Sequence, residues 1–160
     1  MTVSGRDGGL GDALTAVLEA GVARLVPSDA NGPGAAEAHV ARYITRALGS
    51  DYRNHRRTYE EGLEAIDHHA RSSFHAPFAE LSSEHQDVVL ADAEQGRMPE
   101  ASAAQAFFEL LLRHTREGMF SDPRWGGNAE QIGWQLLGYP GPRHAWSEEE
   151  QRIVQPSPPA

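Results

Sequence analysis

One apolar stripe in the second half of the chain constrains the fold more than any other feature. Its members recur every three or four residues over about five helical turns, and they are Ala104, Phe107, Phe108, Leu111, Leu112, Thr115 and Met119. Only an α-helix brings residues at this spacing onto one face, and a face of this length must be covered by other elements. The stripe therefore predicts a long central helix on which the rest of the chain packs.

Shorter stripes with the same period predict further helices before and after this one. The predicted ranges are 14–25, 36–48, about 54–74, a segment that begins at Ser82 or Ser83 and ends before Gly96, and a short helix through Ile132 and Leu136. Ser83 and Gln86 have the spacing of a capping box. Glycine- and proline-rich segments at 27–34, 121–128 and 138–142 separate these helices and predict ordered loops.

No segment alternates apolar and polar residues over a length that would predict a sheet. A chain of 160 residues has the usual size of one domain. We therefore predict an all-α fold, a compact single-domain bundle of five to six helices with long, ordered Gly/Pro-rich loops. The helical domain is predicted over residues 12–146, with a flexible N-terminus at 1–11 and a C-terminal turn and frayed tail at 147–160.

The composition excludes several classes of function. The chain has 14 basic and 23 acidic side chains, and the net charge of −9 disfavours binding to nucleic acid or to an anionic membrane. The absence of cysteine excludes disulfides, thiolate metal sites and cysteine nucleophiles. All basic residues are arginine, and the lack of lysine excludes Schiff-base chemistry and a P-loop.

The sequence also bears on localisation. No apolar run approaches the roughly 20 residues of a membrane span, so we expect no membrane insertion. Residues 1–11 are polar and glycine-rich, without the hydrophobic segment of a signal peptide. The chain as written is therefore predicted to be cytoplasmic, and it would be periplasmic if a leader had preceded it.

Strongly specific catalytic motifs, such as a phosphate-binding glycine loop or an HExxH zinc site, are absent from the sequence. Two weaker pairs have helical spacing: Glu64 with His68, beside His69, and His114 with Glu117. Each pair could place an imidazole and a carboxylate on one face, as acid–base groups or metal ligands. The more common roles are structural: His114 and Glu117 would cap or brace the loop that follows them, and His68 and His69 would be surface or half-buried side chains with satisfied hydrogen bonds.

We therefore expect no catalytic residue and no metal ligand in this chain. The alternative keeps two candidate sets open. The catalytic set is His68, His69, His114 and Glu117, and the metal set is His39, Glu64, His68, His114 and Glu117.

Large aromatic residues and glycines concentrate near the C-terminus, where Trp125, Trp134, Tyr139 and Trp146 lie among five glycines. Exposed, they would suit a protein-binding surface, since rigid aromatic rings add contact area at little entropic cost. Buried, they would cover the end of the central helix. The composition favours burial, because tryptophan needs an apolar environment in a chain of modest hydrophobicity.

The same region carries a family resemblance. The run HTREGMFSDPRWGGN from His114 to Asn128, followed by GWQLLGYPG from Gly133 to Gly141, resembles the signature of the gluconate 2-dehydrogenase subunit 3 family. Earlier features also match, including the LSSEHQDVVL segment that begins at Leu81. The resemblance extends from about residue 14 to residue 141. The chain has Trp125 where tyrosine is common in the family, and the sequence as written does not include the twin-arginine leader that many members carry.

This resemblance implies a small helical accessory subunit without a redox cofactor of its own. Its partner would be the large subunit of an FAD-dependent dehydrogenase of the glucose–methanol–choline (GMC) type, and FAD would reside there. The loop and the segment after it would bind this partner through Phe120, Asp122, Pro123, Trp125, Gly126, Gly127, Asn128, Trp134 and Tyr139.

Two other hypotheses stay open at this point. The chain could be a self-standing enzyme of a small-molecule pathway that uses the histidine and carboxylate residues named above. Alternatively, the signature loop could only lock the central helix against the C-terminal segment.

Overall fold

Six helices and no strand make up the part of the chain that the computed structural model describes, which is residues 10–142 together with 145, 147 and 149. The predicted all-α fold class is confirmed. The helices are α1 (Asp12–Leu25), α2 (Val40–Leu48), α3 (Arg56–Phe74), α4 (Ser83–Glu94), α5 (Ala101–Phe120) and α6 (Ile132–Leu136). Single 3-10 turns at Arg53–His55, Phe78–Glu80, Pro123–Trp125 and Ala129–Gln131 lie in the connections.

Helix α5 is the central element, as its apolar stripe predicts. It contacts α1, α2, α3, α4 and α6, and most of the stripe is buried. Leu112 is an exception, because it lies at the edge of the stripe and is only partly buried. The same helix also buries His114 and Gly118, and both bear on the candidate site.

Helix α2 begins four residues later than its periodicity predicts. Residues 36–39 form turns, and His39 has a left-handed backbone with φ of 57°, which an α-helix does not tolerate. The Ala38 carbonyl accepts a hydrogen bond from the Ala129 N–H at 3.1 Å. This turn is therefore fixed by a distant loop, and the local pattern contains no sign of that contact.

Helix α4 uses Ser82, the first of the two candidate caps. Its side chain accepts a hydrogen bond from the His85 N–H, as expected of an N-cap serine. The capping box suggested by Ser83 and Gln86 does not form. Gln86 is buried instead, and its Nε2 donates to the Phe78 carbonyl at 3.0 Å.

Some predictions fall on parts of the chain outside the described residues. These are the flexible character of 1–9, the position of Trp146, and most of the turn and tail at 147–160. The proposed domain boundaries therefore stay predictions.

Candidate functional site

A buried asparagine fixes the loop that follows α5. The Asn128 side chain has no exposed surface; its Nδ2 donates to the Ser121 carbonyl, and its Oδ1 accepts from the Gly133 N–H, both at 2.8 Å. Its backbone is left-handed, with φ of 45°, a region that asparagine tolerates better than most residues. One side chain thus joins the end of α5 to the start of α6.

Two glycines let this loop lie directly against α5. A Cβ atom at Gly127 would collide with the carbonyl oxygen of Gly118, and one at Gly133 would collide with that of Met119. The backbone of the loop therefore packs on the last turn of the helix without an intervening side chain. Any larger residue at these two positions would push the loop away from α5.

Trp134 joins α6 to the end of α5. It is 8 % exposed, and its indole Nε1 donates to the Phe120 carbonyl at 2.8 Å. Its ring meets that of Tyr139 edge to face, with 5.1 Å between centroids. The sequence-based preference for buried aromatic residues is thus right for Trp134 and wrong for Trp125 and Tyr139, which are about half exposed.

Trp125 projects from a turn with its own supports. Asp122 Oδ1 accepts a hydrogen bond from the Arg124 N–H at 3.0 Å and so caps the turn at Pro123–Trp125. Arg46 Nη1 donates to the Arg124 carbonyl at 3.1 Å from α2. The guanidinium carbon of Arg124 lies 4.9 Å from the centroid of the Trp125 ring. The turn ends at Gly126, whose φ of 100° favours glycine.

The segment from α5 to the residues after α6 carries a set of exposed apolar side chains, which we call the apolar face. Its members are Phe120, Trp125, Leu136, Leu137 and Tyr139, with exposures between 39 and 65 %. Val88 on α4 is the one other large hydrophobic residue that is exposed in the described part of the chain. Exposed apolar side chains that concentrate in one region mark sites of protein interaction.

A second cluster surrounds His114, which is 2 % exposed. Tyr59 Oη lies 2.9 Å from His114 Nδ1, within hydrogen-bond distance, and the Tyr52 ring stacks on the imidazole with 4.0 Å between centroids. Burial lowers the pKa of His114 to about 4, although the charge of Glu117 acts in the opposite direction. The ring is therefore neutral at pH 7, and no substrate in solvent has direct access to it.

Glu117 belongs to the same cluster through Tyr52. The Tyr52 hydroxyl donates to Glu117 Oε2 and lies 3.1 Å from the Tyr43 hydroxyl. Burial, together with the hydrogen bond to this carboxylate, raises the pKa of Tyr52. His114 and Glu117 thus share one face of α5, as their spacing predicts. They brace the connection between α2 and α3, and the expectation that they brace the loop after α5 was wrong.

The other candidate ligands lie apart from this cluster. Glu64 and His68 are exposed on α3, and His39 is exposed before α2. His69 Nε2 lies 2.9 Å from Asp92 Oδ2, between α3 and α4. Within the described ranges, no group of three histidine or carboxylate residues is arranged to hold a metal ion. The five residues of the alternative metal set therefore do not form one site.

No described helix combines the length and the apolar character that crossing a membrane requires.

Comparison with known proteins bears directly on the region of the apolar face. The family model described as gluconate 2-dehydrogenase subunit 3 matches residues 12–141, which include all six helices and the whole apolar face. The chain belongs to this family. No curated protein and no solved structure matches it. The gluconate 2-dehydrogenase subunit 3 family comprises small subunits of dehydrogenase complexes, so membership implies a dehydrogenase partner.

The structure also identifies residues that sequence reasoning did not single out. Leu137 is the most exposed member of the apolar face, yet one more leucine beside a short helix carries no distinguishing pattern. Tyr52 and Tyr59 reach His114 across 62 and 55 positions of sequence. Only their residue type could have suggested them, because a buried histidine needs a polar partner.

Proposed function

We propose that this chain is a non-catalytic accessory subunit of a dehydrogenase complex in the gluconate 2-dehydrogenase subunit 3 family. It binds and stabilises the FAD-dependent large subunit, of the GMC type, and the FAD resides in that partner. The observation that carries the proposal is the apolar face, because five large hydrophobic side chains are exposed within the segment 120–139. Exposure of this kind costs free energy in water, which a partner surface recovers on binding.

The support behind the apolar face suits a binding surface. Trp125 and Tyr139 extend from backbone that is held by Arg46, Asn128 and Trp134 through the contacts described above. Since the backbone is ordered before binding, association would fix few additional torsions. Tryptophan and tyrosine are also the residues most often found at the energetic centre of protein interfaces.

Six of the nine members of the predicted partner-binding set fall into two roles under this proposal. Phe120, Trp125 and Tyr139 are exposed and would touch the large subunit. Gly127, Asn128 and Trp134 are buried, and they would contribute by holding the loop in shape. The hypothesis that the loop only fixes α5 against the C-terminal segment is therefore compatible with partner binding. The packing that fixes the loop also holds the exposed side chains of the apolar face in position.

The cluster around His114 supports a structural role better than a catalytic one. His114 is buried, hydrogen-bonded to Tyr59 and neutral at pH 7. A general acid or base must reach its substrate and titrate near the working pH. We therefore place the dehydrogenase chemistry in the partner subunit.

Affinity capture of the tagged full-length chain from its native host tests this proposal. Recovery of a protein with flavin absorbance, at about one copy per copy of the bait, would support it and would name the class of substrate. Recovery of the chain alone, with a stoichiometric small molecule or metal and an activity of its own, would contradict it.

A further inference from the structure

A second surface feature lies between α3 and α5, away from the apolar face. It is a groove of about 680 Å³ whose floor is apolar. Ile66, Ala93, Met98 and Phe107 contribute to the floor, and each of them is otherwise part of the core. Volumes of this size are typical of sites that receive a ligand or part of another chain.

The groove follows the helices that form it. Thr58, Glu61, Ala65 and His68 line it from α3 at intervals of three or four residues. At a rise of 1.5 Å per residue this edge is about 15 Å long. The facing edge runs from Glu100 to Phe107, at the start of α5. A channel of two to three helical turns between two helices matches the dimensions of a third helix.

Small residues leave this groove unfilled, although α3 and α5 are in close contact beneath it. A Cβ atom at Gly62 would collide with the Phe107 ring, so α3 and α5 touch at that level. Ala65 and Ala103 lie beside this contact and line the groove, and neither has a side chain long enough to fill it.

The rim of the groove is acidic. Glu61, Glu64 and Glu100 line it, and no arginine of the part of the chain that the structure describes does. Arg57 forms an ion pair with Glu61, and the distance between Nε and Oε1 is 2.6 Å. Because one arginine offsets only one of the three carboxylates, the net charge of the rim is negative. An apolar floor between carboxylates is complementary to a segment that is apolar on one side and basic on the other.

We infer that this groove binds a basic amphipathic helix of a partner chain. The apolar side of that helix would lie on Ile66 and Phe107, and its lysine or arginine residues would face Glu64 and Glu100. The groove involves the first half of α5, and the apolar face begins at the last residue of the same helix. The inference therefore does not depend on the proposed docking of a dehydrogenase.

A labelled model peptide tests this inference on the full-length chain. The probe is an amphipathic helix of about 14 residues, with leucine and alanine on one side and lysine on the other, and its match carries glutamate in place of lysine. Fluorescence anisotropy should show about tenfold tighter binding of the lysine peptide, and the difference should shrink as salt is added.

Two pairs of variants separate the groove from general attraction to an acidic protein. Ala103→Trp fills the groove without changing charge and should weaken binding about tenfold, whereas Ala106→Trp, exposed on α5 outside the groove, should not. Glu64→Gln, on α3, should weaken binding more than Glu109→Gln does. Glu109 is an exposed carboxylate on α5 that does not line the groove. Circular dichroism checks that all four variants fold.

Three results would overturn the inference. One is equal binding of the lysine and glutamate peptides. Another is equal weakening by Ala103→Trp and Ala106→Trp. The third is binding by a chain that ends at residue 142 but not by the full-length chain, since that result would assign the groove to the C-terminal segment of this protein.

Discussion

The Oδ1 atom of Asn128 accepts a hydrogen bond from the Gly133 N–H at 2.8 Å, inside a part of the molecule where Asn128 has no exposed surface. Through Nδ2 the same side chain holds the Ser121 carbonyl, so it closes the segment on which the apolar face stands. A polar side chain that satisfies two backbone groups in the interior is difficult to replace, because each group would otherwise be buried without a partner.

Asn128→Gly is expected to lower the free energy of unfolding by about 2–4 kcal/mol, since it leaves two backbone groups unsatisfied. Glycine adopts the left-handed backbone of this position without strain, so the substitution isolates the side chain. Urea unfolding monitored by circular dichroism measures the loss. Asn31→Gly, in an exposed turn, is the control and should change stability by less than about 0.5 kcal/mol. Similar effects of the two substitutions would refute the role assigned to Asn128.

Gly133→Ala should be among the most damaging single substitutions in the loop, with a loss of about 2–4 kcal/mol. Its Cβ would meet the Met119 carbonyl oxygen, a backbone atom that has no freedom to move aside. Gly138→Ala offers a comparison, since a Cβ there enters open space and only the φ of 63° is unfavourable. That cost is about 1 kcal/mol. The reverse order of the two melting temperatures would contradict the packing described for α5 and the loop.

Stability should depend on pH through His114. The pKa of this residue is about 4 in the folded chain, below its ordinary value of 6.5, so between these values the unfolded state binds the proton more readily. The contribution of His114 to the free energy of unfolding is therefore fully present above pH 6.5. It decreases by about 3 kcal/mol as the pH is lowered towards 4.

The His114→Gln variant lacks the titrating group and is the reference protein for measuring this pH dependence. Unfolding free energies of both proteins are measured between pH 7 and pH 4.5. The wild-type protein should lose more stability than the variant over this interval. Parallel curves for the two proteins would show that His114 is not buried in its neutral form.

The same substitution also separates the two roles considered for His114. In a purified complex with the proposed flavoprotein partner, His114→Gln should leave turnover of the dehydrogenase within about twofold of wild type, since the residue is buried inside this chain. Flavin content and subunit ratio confirm that the complex is intact. A loss of turnover by orders of magnitude in an intact complex would return His114 to the list of catalytic residues.

Much of the fold was accessible from local periodicity. The stripe from Ala104 to Met119 predicts the helix that the structure places at the centre, because an apolar face of that length has to be covered. The predictions were wrong where contacts with residues distant in sequence determine the local structure. The turn before α2 is held by Ala129, and Gln86 is drawn to the Phe78 carbonyl, so neither follows from its neighbours in sequence.

The candidate site was accessible only in outline. The sequence marks the segment from Phe120 to Tyr139 by its aromatic residues and glycines. It does not show that Trp134 is buried and Trp125 exposed, because both are tryptophans beside glycine. That difference depends on which indole reaches a carbonyl on α5, and Trp134 reaches that of Phe120. The association of Tyr52 and Tyr59 with His114 likewise depends on how α3 packs on α5.

The most direct test of the account is the affinity of the captured flavoprotein for variants of the apolar face. Trp125→Ala and Leu137→Ala each remove an exposed side chain, and Val88→Ala removes one of similar exposure on α4. Binding is measured by biolayer interferometry, after melting curves have established that the variants fold. We predict that each face variant weakens binding by about tenfold or more while Val88→Ala has no effect. Unchanged affinity for both face variants would contradict the proposed docking surface.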